Sequence, residues 1–232
     1  MIQKKSRVRH GGGEAPNFWV SYSDLMAGML LVFILLLSVA MFHYAEFNQR
    51  KEQLLRRQEQ KLASFHRMQQ RIIKQLARAL IGETVTVDPQ TGAVQIGSGI
   101  LFGEGEAELR PEGKERLATI FDAYVKVILD DRFREAVKQI EIEGHTNSNG
   151  TYLFNLELSQ QRALAVMKEL LTRAGPQSEN LEQMVVAGGR SFTHLVRDEN
   201  GLEDPVKSRR IEIKFRLKEE ELFSDIYREL AQ

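Results

Sequence analysis

The N-terminal part of the chain contains one long apolar run. From Leu25 to Phe42 the residues LMAGMLLVFILLLSVAMF are apolar apart from Ser38. Asp24 is the only Asp, Glu, Lys or Arg between Glu14 and Glu46. A run of this length and composition predicts a helix that crosses a membrane once.

Aromatic residues flank this run on both sides. Trp19 and Tyr22 precede it, and Phe42 and Tyr44 stand at its other end, as is typical of residues at a membrane interface. A cleaved signal peptide is the alternative, but the run is longer than the usual apolar region of such a peptide, and no small-x-small cleavage site follows it. Basic residues occur on both sides of the run, so the positive-inside rule does not decide the orientation.

The segment that follows the run has a helical pattern. Residues 46–80 contain no Gly or Pro and are rich in Gln, Arg, Glu and Lys. The apolar residues recur at heptad-like intervals, at Leu55, Leu62, Phe65, Ile72 and Leu76. This pattern predicts a helix that is either a stalk forming a dimeric coiled coil or an amphipathic helix lying on its own domain.

From residue 82 onward, strand and helix patterns alternate. Alternating or short apolar runs bounded by turn residues predict strands at 84–88, 93–96, 139–143, 184–187 and 209–217. Helical periodicity predicts helices at 111–129 and 154–174. Strands separated by two helices predict an α/β sandwich, in which helices cover one face of a mixed sheet, and the whole chain is therefore predicted to be α+β.

These patterns divide the chain into five parts. The predicted parts are a tail at 1–16, a transmembrane helix at 17–44, a helical stalk or dimerisation linker at 45–81, the α/β domain at 82–218 and a C-terminal helix or tail at 219–232.

Composition excludes several classes of function. Lys plus Arg and Asp plus Glu each number 32, so no overall field attracts nucleic acid. The absence of cysteine excludes disulfides, thiolate metal sites, cysteine nucleophiles and the acylated cysteine of a lipoprotein. The histidines are scattered and no G-x-S-x-G elbow occurs, so we expect no metal site, no cofactor and no enzymatic activity.

Asp24 is the first candidate for chemistry. A carboxylate at the centre of a spanning helix costs roughly 2.5 to 3.5 kcal/mol, and such residues usually face a protein interior or a water-filled path. Asp24 is therefore a candidate for proton transfer. The alternatives are a position in the membrane interface or a helix cap, since Ser21, Ser23 and Asp24 all have capping side chains.

A second candidate site lies in residues 142–166. The run GHTN at 144–147 predicts a polar loop at a strand end, and Asn155, Leu158 and Arg162 follow on one face of the next helix. A guanidinium can bind a carboxylate in a bidentate way, so this arrangement suits a small carboxylate or zwitterionic ligand. The alternative is an ordinary surface helix, with Arg162 in a routine ion pair.

The same segment carries a family resemblance. GHTN at 144–147, NLELSQQRA at 155–163 and SRRI at 208–211 resemble the GHTD, NxxLSxxRA and NRR(V/I) segments of the OmpA-like peptidoglycan-binding family. In that family the Asp after GHT and the Arg before Ala hold the diaminopimelate of the peptide stem. The resemblance implies peptidoglycan binding by Thr146, Asn147, Phe154, Asn155, Leu158, Arg162 and Arg209. Asn147 stands where Asp is usual, and Ser208 stands where Asn is usual. Loss of the carboxylate at position 147 is expected to weaken or alter wall binding without abolishing it.

The membrane end carries a second resemblance. WVSYSDLM at 19–26, followed by a span rich in Phe and Leu, is similar to the start of MotB-type stator subunits, whose spanning helix carries a proton-accepting Asp. This likeness implies an ion pathway at Asp24, Ser21 and Tyr22. It also implies a homodimer inside a ring of a polytopic MotA-like subunit (ZorA), with five copies as the number considered, and proton motive force as the energy source.

Together the two resemblances define a stator B subunit similar to the ZorB family of the Zorya anti-phage defence systems. They imply a single-pass protein of the bacterial inner membrane with a cytoplasmic N-terminus and a periplasmic C-terminal domain that binds peptidoglycan. A flagellar MotB and a passive tether between membrane and cell wall remain as alternatives.

Overall fold

The computed structural model describes residues 18–174 and 178–218. The predicted tail at 1–16 and the predicted C-terminal helix at 219–232 lie outside the described residues. The described part divides into two compact units, with the first ending at Gln58 and the second beginning at Glu59.

The first unit consists of the N-terminal part of a long helix, α1 (Phe18–Ala79). Leu and Met are strong helix formers, which suits the apolar run to this conformation. Within the described residues, α1 is the one helix that is long and apolar enough to cross a membrane, judged by length and composition. The apolar side chains of the run are exposed, as expected of a surface that lipid or other helices cover.

The second unit includes the C-terminal end of α1. Leu62 is 53% exposed, whereas Ile72 and Leu76 are fully buried in the core of the α/β domain, with Phe65 and Met68 packed against it. The helix therefore lies on its own domain over its last turns, and the domain begins earlier than the predicted boundary at residue 82. The coiled coil stays a prediction for the exposed apolar residues that precede this contact.

The domain is built on a five-stranded sheet in the order β1-β2-β5-β3-β4. Its strands are β1 (Thr86–Val87), β2 (Val94–Gly97), β3 (Val137–His145), β4 (Val185–Gly189) and β5 (Arg210–Leu217). The pairing of β3 with β4 is parallel and the other pairings are antiparallel, so the sheet is mixed, as predicted.

Five further helices complete the described domain, namely α2 (Ser98–Leu101), α3 (Pro111–Ile128), α4 (Tyr152–Ala174), α5 (Ser178–Glu182) and α6 (Pro205–Ser208). The two long helices and all five strands lie within a few residues of their predicted positions. The three short helices were not predicted, because four or five residues are too few to show helical periodicity.

The two faces of the sheet differ in chemistry. On β3 and β5, Ile140, Ile142 and Ile213 belong to the core cluster shared with α3, α4 and the end of α1. The next residues along each strand point to the opposite face of the sheet. There, Glu143 and Glu212 are buried charged residues. The predicted packing of helices on one face of the sheet is therefore confirmed.

Candidate functional site

A pocket of about 480 Å³ lies where the chain leaves β3 and meets α2 and α4. All seven residues expected from the sequence to bind the cell wall line it, namely Thr146, Asn147, Phe154, Asn155, Leu158, Arg162 and Arg209. The structure therefore brings the complete predicted set to one place.

Arg162 is the central charged residue of the pocket. Its side chain is buried, and its guanidinium lies 5.2 Å from the centroid of the Phe102 ring. Burial, together with the nearby charge of Arg209, lowers the pKa of Arg162. A lowered guanidinium pKa still leaves the group protonated at neutral pH, so Arg162 presents a desolvated positive charge to the pocket.

Two hydroxyl groups belong to residues of the pocket lining. Ser98 Oγ and Thr146 Oγ1 are buried, and neither has a hydrogen-bond partner within residues 18–174 and 178–218. Buried hydroxyls in proteins normally find a partner. Both hydroxyls are covered in this structure, so a bound polar molecule would reach them only after neighbouring side chains move.

Asn155 organises the loop that forms one wall. Its Nδ2 donates to the carbonyl oxygens of Asn149 at 2.7 Å and of Thr151 at 3.1 Å. On the other side of the loop, Ser148 donates from both its N–H and its hydroxyl to the Glu203 carboxylate. Asn155 therefore holds the loop in place, a role that its position on the helix face did not reveal.

Phe154 and Leu158 supply the apolar part of the wall. Phe154 is 55% exposed and Leu158 is half-buried. Both lie on α4 beside Arg162, one helical turn apart, as the i, i+4 spacing predicts. The pocket thus combines an apolar strip with guanidinium groups, which suits a ligand that has both an aliphatic chain and a carboxylate.

A cluster of charged residues lies on the polar face of the sheet, away from the core. The sequence analysis did not predict it. Lys214 Nζ lies 2.6 Å from Glu143 Oε2 and 2.7 Å from Glu212 Oε2, so one ammonium joins two buried carboxylates. His145 Nε2 lies 3.7 Å from an oxygen of each carboxylate.

Neighbouring imidazole, guanidinium and ammonium groups lower the pKa values of the two carboxylates in this cluster. The imidazole of His145 and the hydrogen bonds from Arg190 and Lys214 hold the pKa of Glu143 well below its usual range, against the opposing effect of burial. Burial alone would raise the pKa of Glu212, but its bonds to Lys214 and Arg210 lower it overall. Glu143, His145 and Glu212 offer a possible set of metal ligands, yet the Lys214 ammonium already lies between the two carboxylates.

Two of the three residues predicted to form an ion pathway lie on one surface of α1. Ser21 and Asp24 line a shallow groove along α1 together with Gly28 and Val32, which follow at helical spacing. Tyr22 lies outside this groove. The capping alternative for Asp24 is wrong, because α1 begins at Phe18 and Asp24 lies within the helix.

Comparisons with known families match the two ends of the chain separately. Residues 101–209 match the OmpA family. Residues 3–56 match the family described as membrane MotB of the proton-channel complex MotA/MotB. The chain therefore has the domain organisation of a MotB-like subunit, in which an apolar N-terminal helix precedes an OmpA-family domain.

Two solved structures resemble the domain. The cell wall anchor of the T6SS from Pseudomonas aeruginosa is 27% identical, with a TM-score of 0.46, and the match covers 62% of this chain and 97% of that one. The periplasmic domain of Helicobacter pylori MotB is 21% identical, with a TM-score of 0.49, and the match covers 63% of this chain and 96% of that one.

Two curated relatives match along most of the chain. The Zorya protein ZorB of Escherichia coli strain Crooks is 32% identical over 211 residues, which covers 84% of this chain and 86% of the relative. The Zorya protein ZorB of Escherichia coli O139:H28 strain E24377A is 29% identical over 205 residues, which covers 85% of this chain and 79% of the relative. The chain belongs to the ZorB family of Zorya proteins.

Proposed function

We propose that this chain is the ion-conducting and wall-anchoring subunit of a rotary stator complex in the bacterial inner membrane, and that the complex acts in anti-phage defence. One observation carries the proposal. A single chain joins a carboxylate within an apolar helix, at Asp24, to a domain with a preformed pocket around the buried Arg162. The names of the two ZorB relatives support the defence role.

The two ends of the chain define its orientation in this proposal. The α/β domain binds peptidoglycan, which lies outside the inner membrane, so the C-terminal domain is periplasmic. With one spanning helix, the N-terminus is then cytoplasmic. Anchoring the domain to the wall keeps the chain fixed while a partner turns around it.

Asp24 is the proposed ion carrier. A carboxylate in apolar surroundings is costly when it is charged and unpaired, so it binds a proton on one side of the membrane and releases it when its surroundings change. Ser21 shares its groove and supplies a hydroxyl, and Tyr22 adjoins it in sequence. Proton motive force supplies the energy, and we propose neither a cofactor nor a catalytic residue.

The proposed assembly contains two copies of this chain inside a ring of a polytopic MotA-like (ZorA) subunit, with five as the proposed number. The groove that holds Asp24 contains two small residues, Ser21 and Gly28, among the larger side chains of Leu25, Met29 and Val32. Helices approach closely at small residues in membranes, so this face suits contact with a neighbouring helix.

The pocket is proposed to bind the peptide stem of peptidoglycan. Arg162 and Arg209 attract a stem carboxylate, Thr146 and Asn147 hydrogen-bond its polar atoms, and Phe154 and Leu158 contact its aliphatic chain. Asn155 contributes by holding the loop. Because Asn147 carries no charge, the stem is bound without the carboxylate that the OmpA-like motif usually has at this position.

Phage plating tests the proposal. Bacteria carrying the intact gene cluster are compared as wild type, Asp24→Asn and Ser38→Ala at matched protein levels. Ser38→Ala is the control, since it removes one hydroxyl from the same helix and leaves Asp24 intact. We expect wild type and Ser38→Ala to protect and Asp24→Asn to fail.

The other outcomes discriminate between functions. Equal protection by Asp24→Asn would contradict ion conduction and favour a passive tether. Absence of protection by wild type would contradict the defence role, and restoration of motility in a stator-deletion strain would then favour a flagellar function.

A further inference from the structure

A tight turn at residues 103–106 forms one edge of the pocket. The Glu106 N–H donates to the Gly103 carbonyl at 3.2 Å, and Gly105 has a φ of +70°. A positive φ at the third position of such a turn suits glycine. Glu104 therefore occupies the corner of the turn, where its side chain is exposed and lines the pocket.

Arg162 holds both ends of this turn. Its Nε donates to the Glu106 carbonyl at 2.7 Å and its Nη2 donates to the Gly103 carbonyl at 3.1 Å. Because Arg162 is buried, these bonds are shielded from water and fix the turn against α4. The residue that supplies positive charge to the pocket thus also positions Glu104.

The charges around the pocket are unequal. Its lining contains three guanidinium groups, those of Arg110, Arg162 and Arg209. Within the described part of the chain, Glu104 is the one carboxylate in that lining, and Asn147 is neutral. A ligand that carries an ammonium group as well as a carboxylate therefore has a single anionic partner here.

We propose that Glu104 binds the free ammonium group of the peptide stem and so makes the pocket selective for a diamino acid with an uncapped amine. This inference rests on the proposed binding of peptidoglycan. It assigns the ammonium contact to the turn before α3, instead of the loop after β3, where Asn147 lacks the charge for it. Glu104 lies in the turn at residues 103–106 and Arg162 lies in α4, so the two contacts come from different elements that line one pocket.

Binding to purified peptidoglycan sacculi tests the inference. Full-length protein in detergent is incubated with untreated sacculi and with sacculi whose free amino groups have been acetylated. Glu104→Gln removes the charge and keeps the shape. Glu108→Gln is the matched control, because Glu108 is also exposed, lies four positions further on and is not part of the pocket lining.

We expect acetylation to weaken binding of wild type and Glu108→Gln by about three- to tenfold, as for loss of a charge-assisted bond at an exposed site. Glu104→Gln is expected to bind both preparations equally, at the weakened level. If Glu104→Gln loses as much binding on acetylation as wild type does, the inference is overturned while the proposed wall binding stands. If wild type binds neither preparation, the proposed wall binding fails and the inference fails with it.

Discussion

Gly144 in β3 lies directly against the main chain of Ser159 in α4. A Cβ atom at Gly144 would be 2.1 Å from the Ser159 carbonyl oxygen, far inside van der Waals contact. The helix therefore approaches the strand at a distance that only glycine permits. Since α4 carries Arg162 and the loop after Gly144 carries Asn147, this contact positions both sides of the pocket.

Gly144→Ala is expected to destabilise the domain. The methyl group meets backbone that cannot move without shifting α4, and overpacking of this kind costs about 1 to 3 kcal/mol or more. Thermal unfolding followed by circular dichroism measures the effect. Gly188→Ala in the neighbouring strand is the control, because no atom lies within 4 Å of the added Cβ. Equal melting temperatures for the two variants would contradict the close packing.

Arg162→Lys is expected to release the turn at residues 103–106 while keeping the positive charge. Lysine lacks the planar fork that bonds the Gly103 and Glu106 carbonyls together. Hydrogen exchange of the Glu106 amide should increase by about tenfold, as for loss of roughly one hydrogen bond. Arg110→Lys, which alters another pocket guanidinium, should leave that amide unchanged. An unchanged amide in Arg162→Lys would show that the turn is held by other contacts.

The end of α1 is expected to behave as part of the domain core. Leu76→Ala removes a fully buried side chain and should destabilise the domain by about 2 to 5 kcal/mol. Leu62→Ala makes the same change at a side chain that is 53% exposed and should leave the unfolding midpoint of the domain nearly unchanged. Denaturant unfolding of the full chain measures both. A larger loss in Leu62→Ala would place the stabilising contact outside this domain.

Lys214 is expected to be essential for the charged cluster. Lys214→Met leaves Glu143 and Glu212 close together without their shared cation, which should cost about 2 to 4 kcal/mol of folding free energy. Lys168→Met, on the exposed side of α4, is the control for the loss of one positive charge. Chemical denaturation of both variants measures the difference. Similar midpoints would show that Arg190 and Arg210 neutralise the carboxylates sufficiently.

His145 is expected to make folding sensitive to mild acid. Burial lowers the pKa of His145 below its usual value of 6.5, and the repulsion from Arg210 adds to this effect, although Glu143 and Glu212 oppose it. A histidine with a lowered folded pKa stabilises the native state above pH 6.5, and this contribution is lost as the pH falls through the folded pKa. Glu143 and Glu212 act in the same direction, but only below their usual value of 4.5.

Melting temperature measured between about pH 7 and about pH 5 tests this expectation. It should fall on acidification in wild type and fall less in His145→Asn, which cannot gain a proton. His66→Gln, at an exposed position on α1, should follow wild type. A wild-type profile that is flat in this range would contradict a buried neutral imidazole.

Local patterns in the sequence were sufficient for the main elements and for part of the pocket lining. A strand that ends in a polar loop delivers Thr146 and Asn147, and helical spacing places Leu158 and Arg162 on one face of the next helix. Both relationships depend on residues close together in the chain, so periodicity predicts them. The family resemblance added Phe154 and, from a distant segment, Arg209.

The bonds that hold the pocket together were not predictable in this way. Arg162 contacts Gly103 and Glu106 across more than fifty positions of the chain, and nothing in either segment specifies that pairing. The charged cluster likewise depends on the register of β3 with β5, which places Glu143 opposite Glu212. A shift of one residue would have moved these side chains to the other face of the sheet.

The sequence by itself determined an α/β domain and an apolar helix of membrane-spanning length that contains Asp24, because these follow from composition and short-range periodicity. Together with its family motifs, it also determined the residues of one polar pocket. Only the tertiary structure decided that the end of α1 packs on its own domain, that Arg162 holds the turn of Glu104 and that Lys214 joins two carboxylates. The same apolar heptad pattern serves a coiled coil and a domain contact equally well. Which surface covers it, and which distant charges meet, is set by long-range packing of the whole domain.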